Sequence, residues 1–295
     1  MQRYELEQMQ SLPLEAKVIK SQQRIREWYE HWEGDVYVSV SGKDSGALLH
    51  LVRSLYPDVP GVFCNTGLEF PEIVEVVKSL ENVIIIRPKM PFTEVIEHYG
   101  YPIVSKEQAQ YIQEYRTTKS DKLKDIRWNG KKNPMTGKVN SKISEKWKYL
   151  TEAPFDISHK CCQVMKKKPF IDYEKETGRK PFLGITSGES SMRLQGYAKY
   201  GCNAFNIARP VSRPLSFWTA EDIWEYLHQH DIPYASVYDK GYDRTGCMFC
   251  MFGVHMEKEP NRFQRMKITH PKLYEYCMTK LGLKEVLDYI KVPYE

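Results

Sequence analysis

The first 34 residues carry apolar positions at helical spacing, with Leu14, Val18, Ile25 and Trp28-Tyr29 set among polar residues up to Gly34. That pattern predicts a helical segment laid against a core. From Asp35 the rhythm changes: short apolar runs alternate with amphipathic stretches and predict strand 36–40, helix 46–55, strand 61–64, helix 71–80 and strand 83–87. Pro181-Phe182-Leu183-Gly184-Ile185-Thr186, closed by Ser187-Gly188, resumes the strand pattern, and beyond Trp218 the chain reads as helices through Tyr289. Strands separated by helices pair in parallel. The expected architecture is therefore α/β: an open, mostly parallel sheet with helices on both faces over 35–215, preceded by the helical segment 1–34 and followed by a helical region 216–295. Within it, 117–149 is weakly periodic, holds Asn129-Gly130 and Asn133-Pro134, and reads as a long insertion, mobile when empty. No internal repeat is evident.

Composition narrows the class. The chain has 295 residues, enough to bury a core without disulfides, and its seven cysteines, an odd number with one adjacent pair, speak for reduced thiols or metal ligands rather than a secreted disulfide framework. No charged-then-apolar leader, membrane-length apolar run or lipidation signal is present in the sequence, so a cytoplasmic protein with no membrane partner is expected. The net charge of +5 says less than its placement, because Lys119, Lys122, Lys124, Arg127, Lys131, Lys132, Lys138, Lys142, Lys146 and Lys148 crowd one segment. Such a segment adds affinity for a polyanion such as tRNA or DNA, with Trp128, Trp147 and Tyr149 as candidates to stack on bases. A solvated loop or a lid over a nucleotide is the alternative.

Chemistry concentrates where the first strand ends. The run Val36-Tyr37-Val38-Ser39-Val40 breaks into Ser41-Gly42-Lys43-Asp44-Ser45-Gly46 just before Ala47-Leu48-Leu49. Helix-start N–H groups lack intrahelical partners and carry the positive dipole end, so a phosphate or sulfate fits there, with Lys43 as a mobile positive charge. The spacing is not that of a P-loop NTPase. The plain alternative is a strand-to-helix turn capped by Asp44 or Ser45. Asn65-Thr66-Gly67 also follows a strand, and ligands of open sheets sit beyond such strand ends.

Four cysteines form a second signal: Cys161-Cys162, and Cys247-Met248-Phe249-Cys250 about 85 residues on. Two pairs can close a four-sulfur site. Zinc usually takes spaced pairs, whereas adjacent ligands suit a larger [4Fe-4S] cluster; structural zinc and buried free thiols stay open as alternatives. Cys64, Cys202 and Cys277 have no such pairing and read as packed thiols. Lys166, Lys167 and Lys168 beside the first pair would offset negative charge and help hold a substrate anion. Arg193, with Glu189 and Ser190 to orient it, is a candidate oxyanion clamp, and Arg209 and Arg213 are further candidates.

In its S-x-S-G-K-D-S form the run Ser39 to Ser45 resembles the PP-loop of the adenine-nucleotide alpha-hydrolase superfamily. Other motifs follow in order: Asn65-Thr66-Gly67 with Phe70-Pro71-Glu72, Cys161-Cys162 with Lys166 and Pro169, Gly184 to Arg193, and Arg213-Pro214-Leu215 with Trp218. Asp222-Ile223-Trp224, Tyr226, Ile232-Pro233 and Gly241-Tyr242 complete the series before Cys247. From Ser39 to Cys250 the chain thus resembles the phosphoadenosine phosphosulfate (PAPS) reductase family, which includes adenosine phosphosulfate (APS) reductases. The resemblance implies an adenine nucleotide held by Ser39, Ser41, Gly42, Lys43, Asp44, Ser45, Asn65, Thr66, Gly67, Lys166, Glu189 and Arg193. It also implies a [4Fe-4S] cluster on Cys161, Cys162, Cys247 and Cys250. Reductases of this family attack with a cysteine in a Glu-Cys-Gly-type tail; residues 284–295 hold no cysteine, and Cys277 lies in a helical run. The expectation is therefore ATP-dependent adenylation of an acceptor, with Mg²⁺ and with Lys43, Asp44 and Arg193 as catalytic groups, coupled to sulfur transfer from a donor protein. The alternatives are an APS or PAPS reductase using an external thiol such as thioredoxin or Cys277, an ATP sulfurylase small subunit, against which the cysteine pairs count, and a non-catalytic nucleotide or cluster sensor.

Overall fold

The computed structural model describes residues 3–295. In chain order the helices are α1 (Arg3–Gln10), α2 (Leu14–His31), α3 (Lys43–Arg53), α4 (Pro71–Ser79), α5 (Phe92–Tyr99), α6 (Lys106–Thr117), α7 (Asp121–Asn129), α8 (Lys168–Thr177), α9 (Ser191–Tyr200), α10 (Ala220–Gln229), α11 (Arg262–Thr269), α12 (Pro271–Thr279) and α13 (Leu283–Tyr289). The strands are β1 (Val36–Val40), β2 (Gly61–Cys64), β3 (Val83–Ile86), β4 (Ile103–Val104), β5 (Lys131–Lys132), β6 (Val139–Asn140), β7 (Lys180–Leu183), β8 (Asn203–Ala204), β9 (Val211–Ser212) and β10 (Met251–Phe252). The chain forms two compact units: residues 1–65, 69–87 and 169–245, and residues 66–68, 88–168 and 246–295. This division cuts across the segments read from sequence. Residues 216–245 join the α/β unit, whereas 246–295 join the 117–149 insertion and its flanks.

The first unit is built on a six-stranded sheet of order β3-β2-β1-β7-β9-β8, parallel throughout except for the β8–β9 edge pair. Strand β1 lies at its centre, pairing Val38 with Gly61 on one side and Val36 with Lys180 on the other. From β1 the chain steps one way through α3 and α4; from β7 it steps the other way through α9. The strand order therefore reverses between β1 and β7. Burial follows: Val36, Tyr37 and Val38 are inaccessible, as a central parallel strand requires, and Trp28 of α2 packs against Phe182. Capping boxes set two helix starts. At α10 the Thr219 N–H donates to Asp222 Oδ2 at 2.6 Å and the Asp222 N–H to Thr219 Oγ1 at 3.2 Å, while the buried Lys17 donates to both Asp222 oxygens. Thr219→Ala is expected to lower unfolding free energy by about 1 kcal/mol, measured by denaturant titration.

The second unit joins α5, α6 and α7 to α11, α12 and α13, with a short parallel pair that aligns Met251 with Ile103. Segment 117–149 is not the mobile loop expected from its weak periodicity. It forms α7, the antiparallel β5–β6 ribbon and a 3-10 turn from Glu145 to Glu152. Among the described residues no helix is long and apolar enough to cross a membrane.

Candidate active site

Helix α3 begins three residues earlier than its apolar pattern suggests, at Lys43, because Gly42 takes an extended conformation (φ −92°, ψ −166°) and serves as the N-cap. Neither Asp44 nor Ser45 caps it; Gly42 has no side chain with which to satisfy the first-turn N–H groups. Ser45 works backwards instead: its Oγ accepts the Ser41 N–H at 2.7 Å and donates to the Gly42 carbonyl at 2.7 Å, closing the turn on itself. Two glycines let the surroundings approach. A Cβ at Gly184, just past β7, would stand 2.7 Å from the Ser45 Cα and N, and a Cβ at Gly42 would collide with the Tyr238 hydroxyl. That hydroxyl accepts the Lys43 N–H at 3.0 Å and pairs with Thr245 Oγ1 at 2.9 Å, so it holds a position where an anion oxygen would bind. Lys43 is not the mobile charge expected. Its ammonium donates to Asp44 at 2.6 Å, its side chain is 9% exposed, and it lies 5.4 Å from the Trp224 ring centre and 5.8 Å from that of Tyr238.

On the other side of the β1/β7 reversal, Thr186 and Glu189 form a capping box, with the Thr186 N–H donating to Glu189 Oε1 at 3.1 Å. Arg193 forms an ion pair with the same carboxylate, and Arg244 donates to the Glu189 carbonyl at 3.0 Å. Burial lowers the Arg213 pKa, and the nearby Arg193 charge lowers it further. Arg193 and Arg244 thus both meet Glu189, one at its carboxylate and one at its main-chain carbonyl, with the half-buried Arg213 near enough to feel the Arg193 charge. Arg209 is taken up elsewhere, held in a fork by both oxygens of Glu174. A cavity of about 240 Å³ opens from Ser41, Gly42 and Lys43 and runs along α3 between Ile73 and Val77 of α4, with Leu80 just past its end, and the stretch from His230 to Ala235. In its wall the His50 and His230 rings lie 4.9 Å apart, and His50 Nδ1 is 3.0 Å from the Tyr226 hydroxyl. Burial, then the His230 charge, lower the His50 pKa. A folded-state pKa below the unfolded value of about 6.5 leaves the unfolded chain binding more protons, so stability present above that pH is lost as pH falls through the window below it. His50→Gln is expected to flatten this part of the acid limb, read from denaturation midpoints across the pH range.

The four cysteines fall within the second unit. Cys161 and Cys162 open a π-helical turn, Gln163–Lys167, a form of helix frequent at functional sites. Cys247 and Cys250 form a turn closed by the Cys250 N–H on the Cys247 carbonyl at 3.1 Å, and the Met248 N–H donates to the Leu68 carbonyl at 2.8 Å. Burial pushes the Cys161 thiol up, with Cys162, Cys247 and Cys250 adding to the rise and Lys166 opposing it. No group of three or more His, Cys, Asp or Glu side chains among the described residues is arranged to hold one metal ion. Lys166 is half-buried, whereas Lys167 and Lys168 are exposed. Arg262 backs the second pair: it donates to the Cys250 carbonyl at 2.9 Å, its Nε donates to Glu257 at 2.8 Å, and its charge lowers the Cys250 pKa against the rise from burial.

The family model described as the phosphoadenosine phosphosulfate reductase domain matches residues 35–130 and 105–252. The chain belongs to the PAPS reductase domain family. Within it, an uncharacterised protein of Methanocaldococcus jannaschii is 27% identical over 85% of this chain and 42% of its own length. An adenosine 5′-phosphosulfate reductase of Anoxybacillus flavithermus is 22% identical over 87% of this chain and 89% of its own. The chain spans about half the length or less of the M. jannaschii relatives it matches. Among solved structures, a PAPS reductase from Candida auris in complex with phosphate gives a TM-score of 0.45 at 14% identity, covering 84% of this chain and 96% of that one.

Of the residues singled out in this PAPS reductase domain, Ser39 to Ser45, Asn65, Glu189 and Arg193 belong to the first unit, and Thr66, Gly67, Lys166 and the four cysteines to the second. Asn65 follows β2 and donates its N–H to the Ile86 carbonyl at 2.9 Å; Thr66 is buried, its Oγ1 accepting the Leu68 N–H at 3.2 Å. Sequence reasoning missed Tyr238, Thr245, Arg244 and Arg262; the contacts of Tyr238 with Lys43 and of Arg244 with Glu189 join segments far apart in sequence, whereas Arg262 meets Glu257 and Cys250 within 12 residues. Gly184 was in view as part of a motif, but its reason, the approach to Ser45, was not.

Proposed function

We propose that the first unit binds an adenine nucleotide with its phosphates at the 41–45 turn and uses it to activate an acceptor for sulfur transfer. The start of α3 carries this reading: a helix terminus whose N-cap Gly42 offers no side chain and whose Lys43 N–H is met by the Tyr238 hydroxyl, packed closely against Gly184, with Lys43 held beside it and Arg193 and Arg244 on Glu189 at the neighbouring strand end. An acceptor oxygen attacks the α-phosphorus of ATP, the bond to pyrophosphate breaks, and a sulfur nucleophile on a donor then displaces AMP. Lys43, Arg193 and the helix terminus stabilise the charge that develops on the phosphoryl oxygens, together with Mg²⁺ on the nucleotide. The thiols of Cys161, Cys162, Cys247 and Cys250 are read as holding a [4Fe-4S] cluster, because the adjacent pair Cys161-Cys162 suits the separate irons of a cluster better than a single zinc ion. Bound there, the cluster supplies electron transfer or a sulfur-binding iron, and Lys166 offsets its charge.

A second reading, release of sulfite from APS or PAPS by an external thiol, draws on the relatives named APS reductases. Cys277 does not serve it: its side chain is inaccessible, and burial pushes its thiol far above the ordinary range, the reverse of what a nucleophile needs. The test is anaerobic assay of one preparation for pyrophosphate release from ATP with Mg²⁺ and candidate acceptors, and for sulfite release from APS and PAPS with thioredoxin, with Cys277→Ser in parallel. Acceptor-dependent pyrophosphate release supports activation. Sulfite release retained by Cys277→Ser moves the assignment to a reductase with an external thiol; sulfite release lost in that variant would make Cys277 the nucleophile against its burial.

A further inference from the structure

Segment 117–149 is ordered although much of it buries nothing. Helix α7 has no buried residue, and both residues of β5 and both of β6 are exposed. Polar bonds hold it. Ser120 Oγ accepts the Leu123 N–H at the start of α7, and Arg127 donates to Glu114 at 2.6 Å and to the Ser141 carbonyl at 2.8 Å while lying 4.2 Å over the Tyr111 ring centre. The Ile143 N–H returns to the Arg127 carbonyl at 2.7 Å. Helix α7 is seated on α6 through half-buried contacts such as Trp128 on Tyr115, which leaves the rest of its surface and the ribbon to solvent. The segment displays charge: Lys119, Lys122, Lys124, Lys131, Lys132 and Lys138 are all exposed. Nearby carboxylates are engaged by other groups, Glu114 by Arg127, Glu145 by Lys142 and Lys148, and Asp125 by Asn129; Asp121, at the first turn of α7, is exposed.

The aromatic residues decide the form of the partner. Trp128 is stacked on Tyr115 at 5.2 Å and covered by the Lys148 ammonium at 4.4 Å, and Trp147 is 6% exposed with its edge contact to His255 at 4.9 Å. Only Tyr149, the third candidate, is exposed, so these residues do not form the run of open rings on which successive bases of a single strand would stack. We propose that α7 and the β5–β6 ribbon form a docking surface for duplex DNA of B form, engaged through its phosphates and independent of base sequence. A helix or a two-stranded ribbon enters the wide major groove of B-DNA, whereas the major groove of A-form RNA is too narrow for either. This proposal stands apart from the nucleotide chemistry and needs no ATP or cluster.

The experiment is fluorescence anisotropy of the full chain with a labelled DNA duplex of about one and a half to two helical turns, in a salt series. The competitors are the same sequence single-stranded, an A-form RNA duplex, and phosphatidylglycerol vesicles. Six phosphate contacts predict that Kd rises about a thousandfold between 50 and 200 mM salt. The triple variants Lys119→Gln/Lys122→Gln/Lys124→Gln and Lys131→Gln/Lys132→Gln/Lys138→Gln alter only exposed side chains, and each is expected to cut that rise to about fortyfold. Wild-type salt dependence in both triple variants, single strands or RNA duplex competing as well as duplex DNA, or vesicles displacing the protein from DNA would overturn the proposal.

Discussion

Gly184→Val is expected to abolish nucleotide binding at the 41–45 turn while leaving a folded chain. The added Cβ would meet backbone, the Ser45 Cα and N at 2.7 Å and the Asp44 carbonyl carbon at 2.8 Å, so no rotamer change can relieve it. Either β7 or the first turn of α3 must move. Both flank the place where strand order reverses, and the N–H groups of that first turn are the ones offered to phosphate. Overpacking at such a contact costs roughly 1–3 kcal/mol of stability, within what a domain of this size tolerates, whereas displacing the phosphate cradle by an ångström removes several charge-assisted hydrogen bonds at once. The measurements are a denaturation curve and calorimetric titration with a non-hydrolysable ATP analogue, with Gly188→Ala as control because a Cβ there meets nothing within 4 Å. Wild-type affinity in Gly184→Val would remove the turn from the binding site.

Why such a contact was invisible in the sequence, while the strand leading to it was not, follows from the range of the forces involved. Strands β1 and β2 fall where the apolar runs place them, because burial on both faces of a central parallel strand leaves a local imprint in Val36-Tyr37-Val38 and Val62-Phe63. The start of α3 was misplaced by three residues since its first turn carries no apolar face; what starts it is the extended Gly42, a backbone property. Polar ordering leaves a fainter imprint still. Helix α7 shows no periodic apolar stripe, and its Arg127 clasp joins Glu114 to Ser141 across 27 residues of sequence. The two cysteine pairs stand out in the sequence by residue type and spacing alone. Their support does not: Arg262 lies beyond the matched family region, and only the fold brings it to Cys250.

That support makes the second large effect testable in two steps. Cys250→Ser is expected to strip most iron and sulfide from anaerobically purified protein, because a hydroxyl is a poor cluster ligand and the remaining three thiols hold a cluster weakly. Arg262→Gln should retain iron but shift the cluster's reduction midpoint to more negative potential. A four-thiolate cluster gains negative charge on reduction, and the Arg262 cation beside Cys250 stabilises that state. A tenfold fall in the reduced fraction at the wild-type midpoint would correspond to about 59 mV for one electron. Arg262→Lys keeps the charge but loses the fork that spans Glu257 and the Cys250 carbonyl, so its midpoint should lie closer to the wild-type value than that of Arg262→Gln. Iron-free wild-type protein would reject the cluster itself, whereas an unchanged midpoint in iron-loaded Arg262→Gln would reject only the electrostatic role of Arg262.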